Sequence, residues 1–277
     1  MSYFGNKNYK LVWKQDFDEN ELDLNVWSGQ FLMGAAKEFK VAEIGTQNLI
    51  TVSDSLLHLK SICHTDSENP DIKYAVIPTI HTGKSMSFKY GYLEMRARVP
   101  FKAGAWPSLW MSSRNTLNGD PKATFSAEID IFENFGSTNA LISNIHKWYN
   151  DEDGNKNGVH TQYPKELKKV YRFDEKNELS DGFHIYGLEW TEEYIKMSVD
   201  GQVYMTFDIS HTFDDNEDMS GFHSPMRLML NNHLFTESSR WIPSEEHIAK
   251  KEDFPMEYDI DYIRIYQIPG VGEINIL

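Results

Sequence analysis

Tyr92-Leu93-Glu94-Met95-Arg96-Ala97-Arg98-Val99 alternates apolar and polar side chains without a break. Successive residues of a strand face opposite ways, so Leu93, Met95, Ala97 and Val99 form an inward face. Tyr92, Glu94, Arg96 and Arg98 then face outward. The same period recurs on either side. Ile195–Val199 and Gln202–Phe207 flank Asp200-Gly201, a favoured two-residue hairpin turn, and Tyr258–Ile268 reads as a last strand. Helical periodicity is confined to two short stretches, 164–169 and 244–251. The chain is therefore expected to be an all-β, antiparallel sandwich of many strands.

Composition supports one large core. The 277 residues are 40% hydrophobic and 13% aromatic, with no linker-like break or repeat, so residues 1–277 are expected to form a single domain. A formal net charge of −15, from 27 Lys plus Arg against 42 Asp plus Glu, disfavours nucleic acid and anionic membrane as partners. A neutral polymer would not feel that field, and a sulfated one would need a local basic patch. The single Cys63 excludes an intramolecular disulfide, and its strand position reads as a buried structural thiol. No apolar run reaches the length of a membrane span. The first residues lack a secretory hydrophobic region, which fits either a cytoplasmic protein or a trimmed mature chain.

Ser126-Ala127-Glu128-Ile129-Asp130-Ile131-Phe132-Glu133-Asn134-Phe135-Gly136 carries the chemistry. Glu128 and Asp130 share a strand face, while Glu133, five residues after Glu128, would face the other way. One inserted residue, a β-bulge near Ile131 or Phe132, returns it to the same side. In an acid-rich chain such a cluster reads as a solvated strand face. The apolar flanks Phe125, Ile129, Ile131, Phe132 and Phe135 place it instead in a central strand. Three crowded carboxyls gain nothing from folding alone, yet cleavage of a glycosidic bond needs one ionised carboxylate, one protonated carboxyl and a tuning group.

Trp106, Ser108 and Trp110 fall on one face just before the acids, where indole could stack on sugar rings. His146-Lys147-Trp148-Tyr149 follows by a hairpin's length, which puts His146 within reach of Glu133. The long charged segment 149–181 reads as a wall of the binding cleft or as a solvated excursion.

The Glu-Ile-Asp-Ile-Phe-Glu segment resembles the bulged active-site signature of glycoside hydrolase family 16. Val12–Phe17, Leu22–Trp27, Tyr90–Arg96, Gly104–Trp110, Phe183–Trp190 and Ile260–Tyr266 are similar to further family landmarks in the same order. The resemblance implies a concanavalin A-like β-jelly roll with an open concave cleft. It implies Glu128 as nucleophile, Glu133 as general acid/base and Asp130 between them. Carboxyls about 5–5.5 Å apart favour retention through a covalent glycosyl-enzyme. Trp106, Trp110, Arg96, Asn134, His146, Trp148 and His233 are expected to contact substrate. No cofactor is expected for catalysis. A structural calcium on the convex face is expected at Asp16 and Asp261, although Asp16 stands where a Glu is usual. The implied partner is a polysaccharide or oligosaccharide, taken by a monomer. The substrate would be a β-1,3/1,4-glucan or an algal β-galactan such as agarose or porphyran. Ala127 and Leu230–Thr236, where laminarin-cleaving members usually carry glycines, depart from the glucan pattern. Arg114, Lys147 and Arg240 are candidates to meet sulfate. A non-catalytic, lectin-like jelly roll is the alternative.

Overall fold

The computed structural model describes residues 8–29, 39–42, 44–45, 48–65, 73–114, 125–136, 138–149, 160–163, 169–173, 178–179, 182–210, 218–235 and 247–277. Alternation of the expected kind builds two facing sheets. One runs β12 (His160–Tyr163), β11 (Ala140–Trp148), β10 (Ser126–Glu133), β9 (Ala105–Ser112), β17 (Arg227–Leu234) and β6 (Thr79–His81), with β13 (Lys169–Arg172) also on β11. The other runs β16 (Gln202–Asp208), β15 (Tyr194–Val199), β14 (His184–Trp190), β8 (Gly91–Arg98), β18 (Met256–Gln267), β4 (Leu56–Thr65), β5 (Lys73–Ile77) and β2 (Phe39–Val41). In that sheet β1 (Lys10–Gln15) adds to β18 and β3 (Ile50–Ser53) to β4, while β7 (Met86–Lys89) and β19 (Glu273–Ile276) form a separate ribbon. Among the described residues every strand pair but the parallel β2–β5 is antiparallel.

The inner faces follow the period of two. Leu93, Met95 and Ala97 of β8 meet Ile129 and Ile131 of β10, Ile145 of β11 and Leu228 and Leu230 of β17 in one core. Phe132 lies fully buried between the sheets, its ring 4.2 Å from that of Tyr186 and 6.3 Å from that of Tyr258. Polar contacts also cross the gap. The buried Asn232 amide donates to the carbonyls of Leu59 (3.2 Å) and Met256 (2.9 Å), and Ser61 Oγ donates to the Asn232 carbonyl (2.5 Å). These bonds satisfy groups that water cannot reach and fix one sheet against the other.

The Asp200-Gly201 turn forms with both residues at positive φ (48° and 81°), as a type I′ turn requires. The last expected strand is longer at its start, and β19 follows it. Of the two expected helices, 164–168 and 244–246 lie outside the described residues. Of the remaining residues, Lys169 opens β13, and His247 and Lys251 lie in 3-10 turns rather than an α-helix. The segment 149–181 carries two strands, β12 and β13, because both find free backbone groups along β11. Cys63 is half-buried and not buried as expected, since it lies beyond the enclosed Leu57–Ser61 part of β4. Among the described residues no helix is long and apolar enough to cross a membrane.

Phe132→Ala should lower unfolding stability by about 3–5 kcal/mol, because the cavity between two sheets cannot collapse fully. Chemical denaturation checks this, and a loss below about 1 kcal/mol would contradict the packing described.

Candidate active site

The bulge sits where spacing placed it. Against β9, pairing steps from Asp130–Trp110 to Phe132–Leu109, so Ile131 is the extra residue. Against β11, it steps from Asp130–Asn144 to Glu133–Ile142. Glu128, Asp130 and Glu133 therefore share the outward, concave face. The displaced Ile131 carbonyl is captured by Ser143 Oγ (2.6 Å) and by the Tyr204 hydroxyl (3.3 Å).

Each carboxylate has its own donor. Trp148 Nε1 donates to Glu128 Oε2 (3.0 Å), and Trp106 Nε1 donates to Glu133 Oε1 (2.7 Å). His146 Nε2 lies 2.8 Å from Asp130 Oδ2 and 4.0 Å from Glu128 Oε1. Trp106 stacks on Phe235, with ring centres 4.7 Å apart and planes 9° from parallel, and touches His233 at 5.0 Å. Burial pushes the His233 pKa down to about 4, so its ring stays neutral. Trp110 Nε1 donates to Asn231 Oδ1 (2.7 Å). The chain turns at Gly104, just before β9, at φ +81°, where a Cβ would lie 2.3 Å from Ala249. No larger residue fits there.

Burial raises the Glu128 pKa first, and the charges of Asp130 and Glu133 add to it. His146 and the Trp148 N–H oppose the shift. Burial raises Asp130 as well. The crowded acids thus retain a proton at pH values where free carboxylates have lost theirs. Glu128, Asp130 and His146 also form a set whose ligand atoms lie within 4.8 Å of one another, suited by distance to a cation. Here His146 is instead hydrogen-bonded to Asp130.

Not every expected site residue joins this cluster. Trp106, Trp110, His146, Trp148 and His233 share the concave face with the three acids. Asn134 does not reach the cleft. It is fully buried, and its amide donates to the carbonyls of Thr138 (2.8 Å) and Ala140 (2.7 Å), closing the turn after β10. Arg96 lies on the outer face of the opposite sheet, ion-paired to Asp261 and 4.5 Å over the Phe183 ring. Arg96 faces outward as the alternation requires, but its strand belongs to the other layer. Asp16 is bonded to Lys14 and, at 2.8 Å, to Arg264. Carboxylates already facing ammonium and guanidinium groups do not fit the expected calcium cage. Lys147 is buried, donating to the Asp218 carbonyl 5.2 Å over the Phe125 ring, so it cannot meet sulfate in the cleft. Arg114 remains beside the cleft, 5.9 Å over the Trp148 ring, and Arg240 lies outside the described residues. Arg227 and Asn231 also lie on this face, outside the residues expected from the sequence. The alternation Arg227-Leu228-Met229-Leu230-Asn231 was the available signal.

The model of the family described as "Glycosyl hydrolases family 16" matches residues 40–258. The chain is 26% identical to a glucan endo-1,3-beta-glucosidase A1 of Niallia circulans, over 93% of this chain but only 38% of that protein. It is 28% identical to a beta-glucanase of Rhodothermus marinus, over 94% of this chain and 86% of the relative. The laminarinase catalytic domain of Thermotoga maritima MSB8 superposes with a TM-score of 0.68 at 26% identity, covering 94% of this chain and 99% of that one.

The raised Glu128 pKa has a stability consequence with a definite sign. A carboxyl whose folded pKa exceeds its unfolded value destabilises the fold once pH rises above the unfolded value. Glu128→Gln should therefore raise Tm by a few degrees at pH 8 and by progressively less towards pH 4. Differential scanning calorimetry across that range tests the point, and an unchanged or lower Tm at pH 8 would oppose it.

Proposed function

This chain belongs to glycosyl hydrolases family 16, and from that premise we propose that it is a retaining endo-β-glycanase acting on internal linkages of a polysaccharide. The observation that carries the reading is the bulge at Ile131. It brings Glu128 and Glu133 to one face, each held by an indole N–H.

Ionised Glu128 attacks the anomeric carbon while Glu133 gives its proton to the leaving oxygen, forming a glycosyl-enzyme. Glu133, now a carboxylate, takes a proton from water, whose oxygen displaces Glu128 and regenerates both groups. Asp130, bonded to His146, positions the proton balance beside the nucleophile, and Trp148 favours its charged form. The half-buried faces of Trp106 and Trp148 offer flat apolar surface to sugar rings. The names of the relatives favour a β-glucan as substrate. The cleft strand β17 gives a reason to keep a β-galactan in the panel: where glucan-cleaving members are expected to carry glycines, His233 packs on Trp106. A reducing-sugar assay on laminarin, barley β-glucan, agarose, porphyran and κ-carrageenan separates these, and silence on the whole panel would count against the activity.

Glu128→Gln should reduce turnover by at least a thousandfold while oligosaccharide binding persists. Wild-type-like turnover would remove Glu128 from the nucleophile's role. Rescue distinguishes the two glutamates. With azide and a substrate bearing a good leaving group, Glu133→Ala should yield a β-glycosyl azide, and Glu128→Ala an α-azide after a single displacement. The same anomer from both variants would show the assignment to be wrong.

A further inference from the structure

Arg227 is a deeply buried cation on the concave face. It is only 3% exposed, its Nε is buried without a hydrogen-bond partner, and it forms no ion pair among the described residues. Burying an unpaired guanidinium is costly, and a chain with 42 acidic residues has many ways to avoid it. Burial and then the like charge of Arg114 push its pKa down to about 10.

Its position connects it to the cleft. Arg227 pairs with Ser112, and Ser112 pairs with Glu128, so the three form one row across β17, β9 and β10 on the concave face. Two strand spacings separate Arg227 from Glu128, roughly 10 Å. A polymer lying across the strands and cut at Glu128 would pass over it.

The surroundings are built from donors. At Gly83 a Cβ would sit 2.7 Å from Arg227 Cδ and 2.8 Å from its Nη1, so glycine lets the guanidinium lie against the backbone. Gly83 N donates to His81 Nδ1 (3.1 Å), which leaves Nε2 as the protonated nitrogen. Burial, Arg227 and the exposed Lys84 keep His81 neutral, with a pKa of about 4. Neither Arg114 nor Lys84 enters an ion pair among the described residues. Three cations and a neutral N–H therefore gather at one end of a cleft in a protein of net charge −15.

We propose that Arg227, with Arg114, Lys84 and His81, forms a subsite for an anionic substituent on the polysaccharide, a sulfate ester or a uronate carboxylate. The planar guanidinium fork matches both groups. The proposal rests on the glycanase reading, because it assigns the anion to that substrate.

The test uses Glu128→Gln protein and calorimetry at fixed ionic strength. The ligands are laminarihexaose, its O-sulfated form, its C6-carboxylated form, neoagarohexaose and a porphyran hexasaccharide. An anionic member should bind at least tenfold more tightly than its neutral parent, and the sulfated and carboxylated arms show which anion is meant. Adding Arg227→Met, which keeps the stem, should abolish that preference, so that the anionic member binds no more tightly than its neutral parent in the same variant. Arg227→Lys should retain part of it, and Arg114→Gln should weaken it severalfold without touching the packed residue. Equal affinity for neutral and anionic members in both series would overturn the proposal. So would Arg227→Met weakening both alike in protein with an unchanged melting curve. Wild-type hydrolysis of the neutral chains is scored separately. Cleavage without anion preference defeats only the subsite, whereas anion preference without cleavage of any chain defeats the glycanase reading.

Discussion

The concave site depends on one backbone event, the extra residue Ile131 in β10. Without it Glu133 would point into the core and Phe132 into the cleft, inverting two residues of opposite polarity. The bulge is retained because both sides reward it. Ser143 and Tyr204 bind the displaced carbonyl, and Phe132 drops into the aromatic packing with Tyr186. Core packing and catalytic placement are thus two results of the same shift in phase.

The electrostatics follow from that crowding. Burial raises the proton affinity of Glu128 and Asp130, the charges of Asp130 and Glu133 add to the rise at Glu128, and His146 and the Trp148 indole oppose it there. The opposite sheet handles charge differently. There Asp16, Asp259 and Asp261 are each matched to Arg264, Arg98 and Arg96 on the outer face. One face neutralises its acids locally, and the other keeps them concentrated.

Much of this was legible in the sequence. Period-two alternation in residues 92–99 and the Asp200-Gly201 turn gave the class of fold, and the five-residue spacing from Glu128 to Glu133 required a bulge at the place where one exists. What escaped was the layer to which a strand belongs. Arg96 alternates as cleanly as Trp106, yet nothing local says which sheet β8 joins, and that choice placed Arg96 far from the acids. Asn134 escaped for a related reason: a polar residue beside an acid cluster looks like a ligand until its turn is seen to bury it. The strands β12 and β13 were hidden because edge pairing on β11 arises from long-range backbone partners rather than local pattern.

The two indole–carboxylate bonds have an optical corollary. Indole emission responds to hydrogen bonding and charge at its N–H, and here that N–H ends on each of the two glutamates. Trp148 and Trp106 are thus internal chromophores wired separately to Glu128 and Glu133. The ionisation of each carboxyl, and the arrival of a sugar above it, becomes a spectral event inside the unlabelled protein.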